Sequence, residues 1–511
     1  MRMLKPYIDF RGGWNADVAP DNLMDNELML ADNADLDERG AISKRKGTVP
    51  LNATSYAAQV ERLIEWVRND GTPILIAVIG NNLVKVSDAD GSTVSLLVLD
   101  NPSIGHFAFQ DKFWFTCRSA GVDYYKVYDG TTVANVTPNA ATDNDLTPIK
   151  RCRLFVRHPK SMRFFATLDP SDPAAVYYSE PNDPTYFKAT SKLYPGGGEG
   201  PVTGLATFGE AVLVFYRNGV WMWKGVDPAT DTQWGKIPVS HGTVSPGAIV
   251  LAPSVLTFLS GGGIYALTPV LLEPNVALLT EESVAKNLAR NKVSSVLRSI
   301  TNPNIAKAVY IDSVGKYLLA YCDVAGGTRN NNILVLDWPL MAFTRYTGIQ
   351  VNDFCLRSNG DLLVASNNYI LKMFQGYKDW DVAAGAYKGI DFHVKTKAWP
   401  LDRLNERKKV YRVFLSTRQY GAETSTIDLT VTADYASQTF TNISLDESFV
   451  WGEPWGNVWG WEDYTIKEAY CMVKGQRVQA EFTNNRLDEP VTVYGIAFEY
   501  KLLRPRGVKI N

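Results

Sequence analysis

The sequence predicts an all-β protein: a β-propeller of six or seven blades, a C-terminal β-sandwich domain and one inserted amphipathic helix. Three observations carry this expectation. From about residue 60 to 374, short runs of Val, Ile, Leu, Phe and Tyr alternate with Gly, Asn or Asp turns at intervals of roughly 8 to 12 residues, the rhythm of antiparallel meanders. These runs group into units of about four strands, repeating at roughly 40 to 50 residues, as propeller blades do. Aromatic residues make up 12% of the chain, with 13 Trp and 25 Tyr, and such rings suit half-buried pleated surfaces and subunit contacts better than helix bundles.

In the first unit, residues 74–79 and 83–86 flank the turn Gly80-Asn81-Asn82, and Asp90-Gly91 then turns the chain into 93–99. The second runs through 106–109, 112–117, 123–127 and 132–136, with Asp129-Gly130 as its tight turn. Similar units cover 150–187, 204–239, 247–268, 306–347 and 352–374. This counts to seven. The stretch 247–268 reads as incomplete because a helix follows it, so six blades with one shared across an insertion fits equally well. No WD or kelch consensus recurs, which leaves a stacked pair of sandwiches as the structural competitor.

The helix is expected over 281–300. Thr280 can cap it, Glu281 and Glu282 suit its positive end, and Val284, Leu288, Val296, Leu297 and Ile300 fall largely at helical spacing. After Trp380 and Ala383-Ala384-Gly385-Ala386, a composition shift marks a boundary near residue 388. Strands are then expected at 392–396, 410–416, 426–433, 438–443, 469–473, 478–482 and 491–500. The division is therefore an N-terminal arm at 1–50, a propeller at 51–387 and a C-terminal sandwich, a platform or docking domain, at 388–511. The arm is acidic and irregular up to Glu38, then basic at Lys44-Arg45-Lys46.

Composition narrows the function. A chain of 511 residues exceeds one core, which stops growing at roughly 250 to 300 residues. Hydrophobic and charged shares of 45% and 21% exclude disordered, collagen-like and coiled-coil classes. A formal net charge of −2 argues against a dedicated nucleic-acid binder, whose affinity comes from neutralised phosphates. The five cysteines, Cys117, Cys152, Cys322, Cys355 and Cys471, are odd in number and contain no C-x-x-C pair, so neither a disulfide framework nor a zinc site is indicated. Residues 1–10 carry no apolar signal core and no run of about 18 apolar residues occurs, so a soluble, unsecreted chain is expected.

The reactive motifs are thin. His106, His158, His241 and His393 are scattered, with no metal-binding spacing among them. The run 194–200 is Gly-rich but lacks the Gly-Lys-Ser/Thr ending of a phosphate cradle, and reads as an inter-blade loop. Asn33-x-Asp35-x-Asp37 alternates oxygen ligands as a calcium loop does, but Glu38 and Lys44 stand where the turning Gly and the bidentate Glu belong. The turn at 87–93 resembles a sialidase repeat out of register and is explained by an Asp-Gly hairpin. The strongest local oddity is Trp451, Trp455, Trp459 and Trp461, four Trp within 451–461 among Gly and Pro, which suit a subunit contact or a receptor or sugar contact. The basic stretches 403–412 and 504–506 read as solvated faces or loops, with contact to DNA as the alternative. No catalytic residue, cofactor or metal is nominated, and a non-enzymatic protein is expected.

A resemblance enters at the N terminus. Gly12-Gly13-Trp14-Asn15, Pro20, Leu23, Asp25, Glu27, Asn33, Asp35, Gly40-Ala41-Ile42 and Lys44-Arg45-Lys46-Gly47 resemble the opening of the tail nozzle and packaged-DNA-stabilisation proteins of short-tailed (podovirus) bacteriophages. The stretches 176–184 (VYYSEPNDP), 208–215 (FGEAVLVF) and 261–267 (GGGIYAL), then Gly475-Gln476-Arg477-Val478-Gln479 and Gly495-Ile496, look like the same family in the same order. Trp14 departs from it, standing where a smaller residue is usual.

The resemblance implies a virion structural protein, assembled in the host cytoplasm as a homo-oligomeric, hexameric ring at the distal end of the tail. Its implied partners are the head-to-tail adapter, tail fibre or spike proteins, and genomic DNA that passes the lumen without sequence preference. Such a conduit is expected to have a neutral or acidic lining, because each neutralised phosphate would slow transit. Two rival readings are a carbohydrate- or receptor-binding tail protein using the Trp cluster, and a propeller glycosidase.

Overall fold

The computed structural model describes residues 2–230, 234–272, 280–403, 406–420, 425–434, 436–445 and 464–503. The protein is mostly β, with 51% strand and 5% helix, and its body is a β-propeller. Six free-standing four-stranded antiparallel sheets lie at residues 60–98, 105–135, 154–193, 204–236, 250–287 and 353–373, the last completed by Thr48–Pro50. Between the fifth and the last, Lys307–Ile311, Lys316–Tyr321, Asn330–Asp337 and Ala342–Val351 form a further unit of the same shape, whose outer edge continues into a ten-stranded sheet.

Side-chain alternation explains the ring. In Pro73–Ile79 every residue after the proline is buried. Ile74, Ile76 and Val78 face Phe113 and Phe115 of the next sheet, whereas Leu75, Ala77 and Ile79 face Cys355, Leu363 and Ala365 of the last. Ala211–Tyr216 behaves alike: Leu213 and Phe215 meet Leu256 and Phe258, while Val212 and Val214 meet Phe165 and Val176. A strand buried on both faces reads as a continuous apolar run. Each fully buried aliphatic side chain contributes about 1.5 to 3 kcal/mol, so the middle strands dominate over outer ones such as Thr93–Val98, which is mostly exposed.

The start and end of the propeller meet in one sheet. Thr48–Pro50 pairs antiparallel with Tyr369–Met373, Thr48 opposite Met373. A charge cluster, buried at Arg357 and Glu65 and open to solvent at Asp88, fastens the last blade to the first. Arg357 donates from Nε to Glu65 at 2.6 Å and through both terminal nitrogens to Asp88, at 2.7 and 2.8 Å. Gly47 leads into the closing strand with its backbone against Lys378, where a Cβ would lie 1.9 Å from the carbonyl oxygen.

The helix expected over 281–300 is not one helix. Glu281–Val284 and Ser294–Arg298 are short helices, and between them Ala285–Asn287 is a strand paired with Gly263–Leu267. The stretch 247–268 is therefore not an incomplete blade, because the residues read as helix supply its fourth strand. The open edge of Gly263–Leu267 offers backbone partners that outweigh a weak helical pattern. Asn291, at φ 61°, breaks the chain before the second helix, whose first amides donate to Asp17 from Ser294 at 2.8 Å and Ser295 at 2.7 Å.

The expected C-terminal strands are present, except that the one expected at 469–473 runs Tyr464–Tyr470, but they do not make a free-standing sandwich. Phe392–Thr396, Val478–Asn484, Thr426–Ala433 and Ala436–Ser444 continue the ten-stranded sheet, joined to Ala342–Val351 through the N-terminal strand Glu27–Asp32. Lys408–Arg418, Tyr464–Tyr470 and Thr492–Leu502 form a second sheet with the N-terminal strands Met3–Tyr7, Ala34–Leu36 and Ile42–Lys44. Val413, Leu415, Leu429, Val431, Phe482, Ile496 and Phe498 share one core. A strand's own residues specify which face is apolar, not which distant segment supplies its neighbour, so the N-terminal strands were invisible as partners.

Two buried cations hold this seam. The Arg45 side chain is 0% exposed. It donates to Asn33 Oδ1 at 2.8 Å, to the carbonyls of Lys46 and Thr347 at 3.0 and 3.3 Å, and to both oxygens of Asp379 at 3.0 and 2.5 Å. Lys44, 2% exposed, donates to Asn484 Oδ1 at 2.8 Å and to the Arg486 carbonyl at 3.0 Å, and burial pulls its ammonium down to about 8.

Two measurements check these contacts. Arg357→Ala leaves Glu65 buried without its cation and lowers stability by about 3 to 5 kcal/mol in chemical denaturation; a loss below about 1 kcal/mol, the worth of a surface pair, contradicts the clamp. Because the folded protein releases the Lys44 proton before the unfolded chain does, wild type gains stability relative to Lys44→Met as pH rises from about 8 toward the ordinary lysine value. The gain approaches about 1.4 kcal/mol per pH unit. A pH-independent difference between the two proteins refutes the assignment.

Candidate functional site

The innermost strands of the blades begin around one mouth of the propeller axis, and a cavity of about 520 Å³ opens there. Glu61 and Arg62 of the first blade, Arg153 of the third, Lys307 and Arg329 of the unit at 307–351, and residues 102–104, 246–247 and 351–352, which lead into other blades, contribute to its wall. Four cations thus face one carboxylate.

Side-chain amides fix the rim. Asn330, 1% exposed, donates to the carbonyls of Ile305 and Val351 at 2.9 and 3.0 Å, and Asn352 donates to that of Val60 at 2.8 Å. The Asn330 bonds hold the two ends of one unit together, and the Asn352 bond ties the last blade to the first. The cations are held unequally. Arg153 pairs with Asp123 at 3.2 Å and donates to the Lys150 carbonyl at 3.0 Å. Lys307 pairs with Asp353 at 3.2 Å, and Asp353 also accepts from the Leu63 amide. Arg62 donates to the Ile104 carbonyl, but its buried Nε has no partner among the described residues. Arg329 has no ion pair or hydrogen bond among the described residues.

Beside the mouth, burial and the positive charges of Arg62 and Lys307 hold the His106 imidazole at about 3, so it stays neutral at physiological pH. The arrangement can attract and orient an anion. The mouth of the propeller axis is basic.

The other residues singled out in the sequence are dispersed. Trp451, Trp455, Trp459 and Trp461 lie outside the described residues, as does 504–506. His158 accepts the Ser161 amide at Nδ1 and donates from Nε2 to the Glu210 carbonyl at 2.7 Å, a structural role. His393 contacts Glu481 at 2.6 Å, and His241 lies 3.7 Å from Glu281. Burial pushes the thiols of Cys117 and Cys355 up to about 11 and about 12. The Gly-rich run falls between Lys192–Leu193 and Gly204–Phe208, hence between the third and fourth blades. Asn33 and Asp35 of the calcium-like triplet are engaged elsewhere, Asn33 with Arg45 and Asp35 with Lys316 and the Tyr346 hydroxyl. Among the described residues, no group of three His, Cys, Asp or Glu is placed to hold a metal ion.

The basic stretch 403–412 is not a uniform solvated face. Arg403 pairs with Glu406, Arg412 with Glu468 and Glu499, and Lys408 is buried. The axial cations were missed because they are spread over the chain as single residues, with no motif linking them. The one available signal is position: each stands at the entry to an innermost strand or in a neighbouring turn.

No protein-family model matches the chain, and no curated protein matches it in sequence. Among solved structures it is similar to the extracellular domain of a one-component system from B. thetaiotaomicron, at 10% identity and a TM-score of 0.42, covering 92% of this chain and 62% of that one. It is also similar to virginiamycin B lyase from Staphylococcus aureus, at 12% identity and a TM-score of 0.41, covering 64% of this chain and 98% of that one. A third is PorZ, a surface component of the type-IX secretion system of Porphyromonas gingivalis, at 13% identity and a TM-score of 0.38, covering 63% of this chain and 37% of that one. The chain therefore spans less than two thirds of the length of the first of these, and none of the three is a phage tail nozzle.

Proposed function

We propose that this chain is a virion structural protein, the nozzle at the distal end of a short bacteriophage tail. Its copies form a closed six-fold ring that retains the packaged genome and conducts DNA on ejection. The observation that carries the reading is the ordered series of family-like motifs, which runs from Gly12 to Ile496.

The places where these motifs fall support it. Trp14 is buried, donates to the Met29 carbonyl at 3.1 Å and lies under the Arg345 guanidinium. Gly13 has φ 63°, and a Cβ there would lie 2.7 Å from the Phe343 carbonyl oxygen. Asn33 and Arg45 lie in the seam between propeller and C-terminal sheets. The later motifs supply strands of three blades, Val176–Tyr178, Ala211–Tyr216 and Gly263–Leu267. The motif residues are thus the frame of the subunit, which accords with a part that holds its shape rather than one that turns over a substrate. A subunit joined by a continuous sheet can pass load from one end to the other without a hinge. Closed rings require one heterologous interface whose rotation closes.

Electron microscopy of the purified protein, alone and with the head-to-tail adapter, tests the proposal. Six-fold rings around a channel wide enough for duplex DNA are expected. Particles that remain monomeric with adapter present refute it, and loss of sugar or cell binding on Trp455→Ala and Trp459→Ala with intact assembly would support the receptor-binding reading instead.

A further inference from the structure

We infer that the axial cavity is a binding site for a small ligand bearing phosphoryl groups, of pyrophosphate or nucleotide size. The inference is independent of the tail reading, since it rests on the propeller axis alone. Arg62, Arg153, Lys307 and Arg329 converge on one cavity against the single carboxylate of Glu61. Arg153 and Lys307 are already paired with Asp123 and Asp353, so the charge left for an anion to meet is chiefly that of Arg62 and Arg329.

Two of the four have donors left over. Arg329 has no partner among the described residues, and the buried Nε of Arg62 is unsatisfied. An arginine presents a planar fork of donors that matches phosphoryl oxygens, so the unpaired guanidinium of Arg329 is of the type this ligand needs. The size agrees: about 520 Å³ lies within the range of roughly 300 to 1,000 Å³ for small-molecule sites and excludes a duplex. His106 contributes no charge at neutral pH, so binding there depends on the four permanent cations.

Calorimetric titration of the full-length protein with sodium pyrophosphate at low ionic strength tests the site. One saturable site per chain is expected, weakening as salt screens it. Arg329→Gln, which breaks no contact seen in the fold, is expected to weaken binding by about tenfold or more while leaving the melting temperature unchanged; Arg62→Gln is expected to weaken binding to a similar degree and to lower the melting temperature, because its bond to the Ile104 carbonyl is lost as well. The inference is overturned by a lack of saturable uptake in the wild type, or by unchanged affinity in both variants. It is also overturned if a short single-stranded oligonucleotide binds in an Arg329-dependent way that pyrophosphate does not compete, which would make the mouth a strand-binding surface.

Discussion

The contact on which the rest of the molecule depends is the buried pairing of Arg45 with Asp379. A guanidinium removed from water costs several kcal/mol unless its donors are met, and here every nitrogen of Arg45 has a partner. The acceptors come from four places: the N-terminal turn at Asn33, the backbone at Lys46, the outer strand of a propeller unit at Thr347, and the connection that leaves the propeller at Asp379. A Lys could not satisfy the same set, since a compact ammonium lacks the planar fork that spans them. Removing Asp379 would leave the buried Arg45 charge without its carboxylate at the place where these segments meet.

That segment makes the protein one piece. Its strands pair with the C-terminal sheet at Met3–Tyr7, bridge propeller and C-terminal strands at Glu27–Asp32, and close the last blade at Thr48–Pro50. The propeller is thus shut by a strand from far upstream and reinforced by the Arg357 cluster, while its C-terminal neighbour extends one of its own sheets. Charge follows the same logic. A chain with a net charge near zero nonetheless gathers cations at the axis, because several innermost strands and one neighbouring turn bring single cations to that mouth.

Much of the fold was legible along the chain. Strands such as Thr426–Ala433 and Phe392–Thr396 have the bounds their alternation predicts, and the blade rhythm was visible because each meander is local. The helix over 281–300 misled because Val284, Leu288 and Leu297 satisfy a helical period by coincidence, while the edge waiting for Ala285–Asn287 belongs to a strand some twenty positions earlier. Lys44-Arg45-Lys46 read as a charged surface run, yet Lys44 and Arg45 are buried. Composition cannot distinguish a solvated cation from one whose acceptors lie three hundred residues away. The axial cations carried even less signal, being single residues in unlike contexts.

The sequence by itself determined which segments are strands and which of their faces are apolar, because side chains alternate across a strand whatever it pairs with. Only the tertiary structure decided the partners: that the first fifty residues stitch three sheets together, and that Arg62, Arg153, Lys307 and Arg329 face one another. The reason is physical. Alternation is a property of a few consecutive residues, whereas sheet neighbours and charge convergence are set by where a closed ring brings distant backbone together.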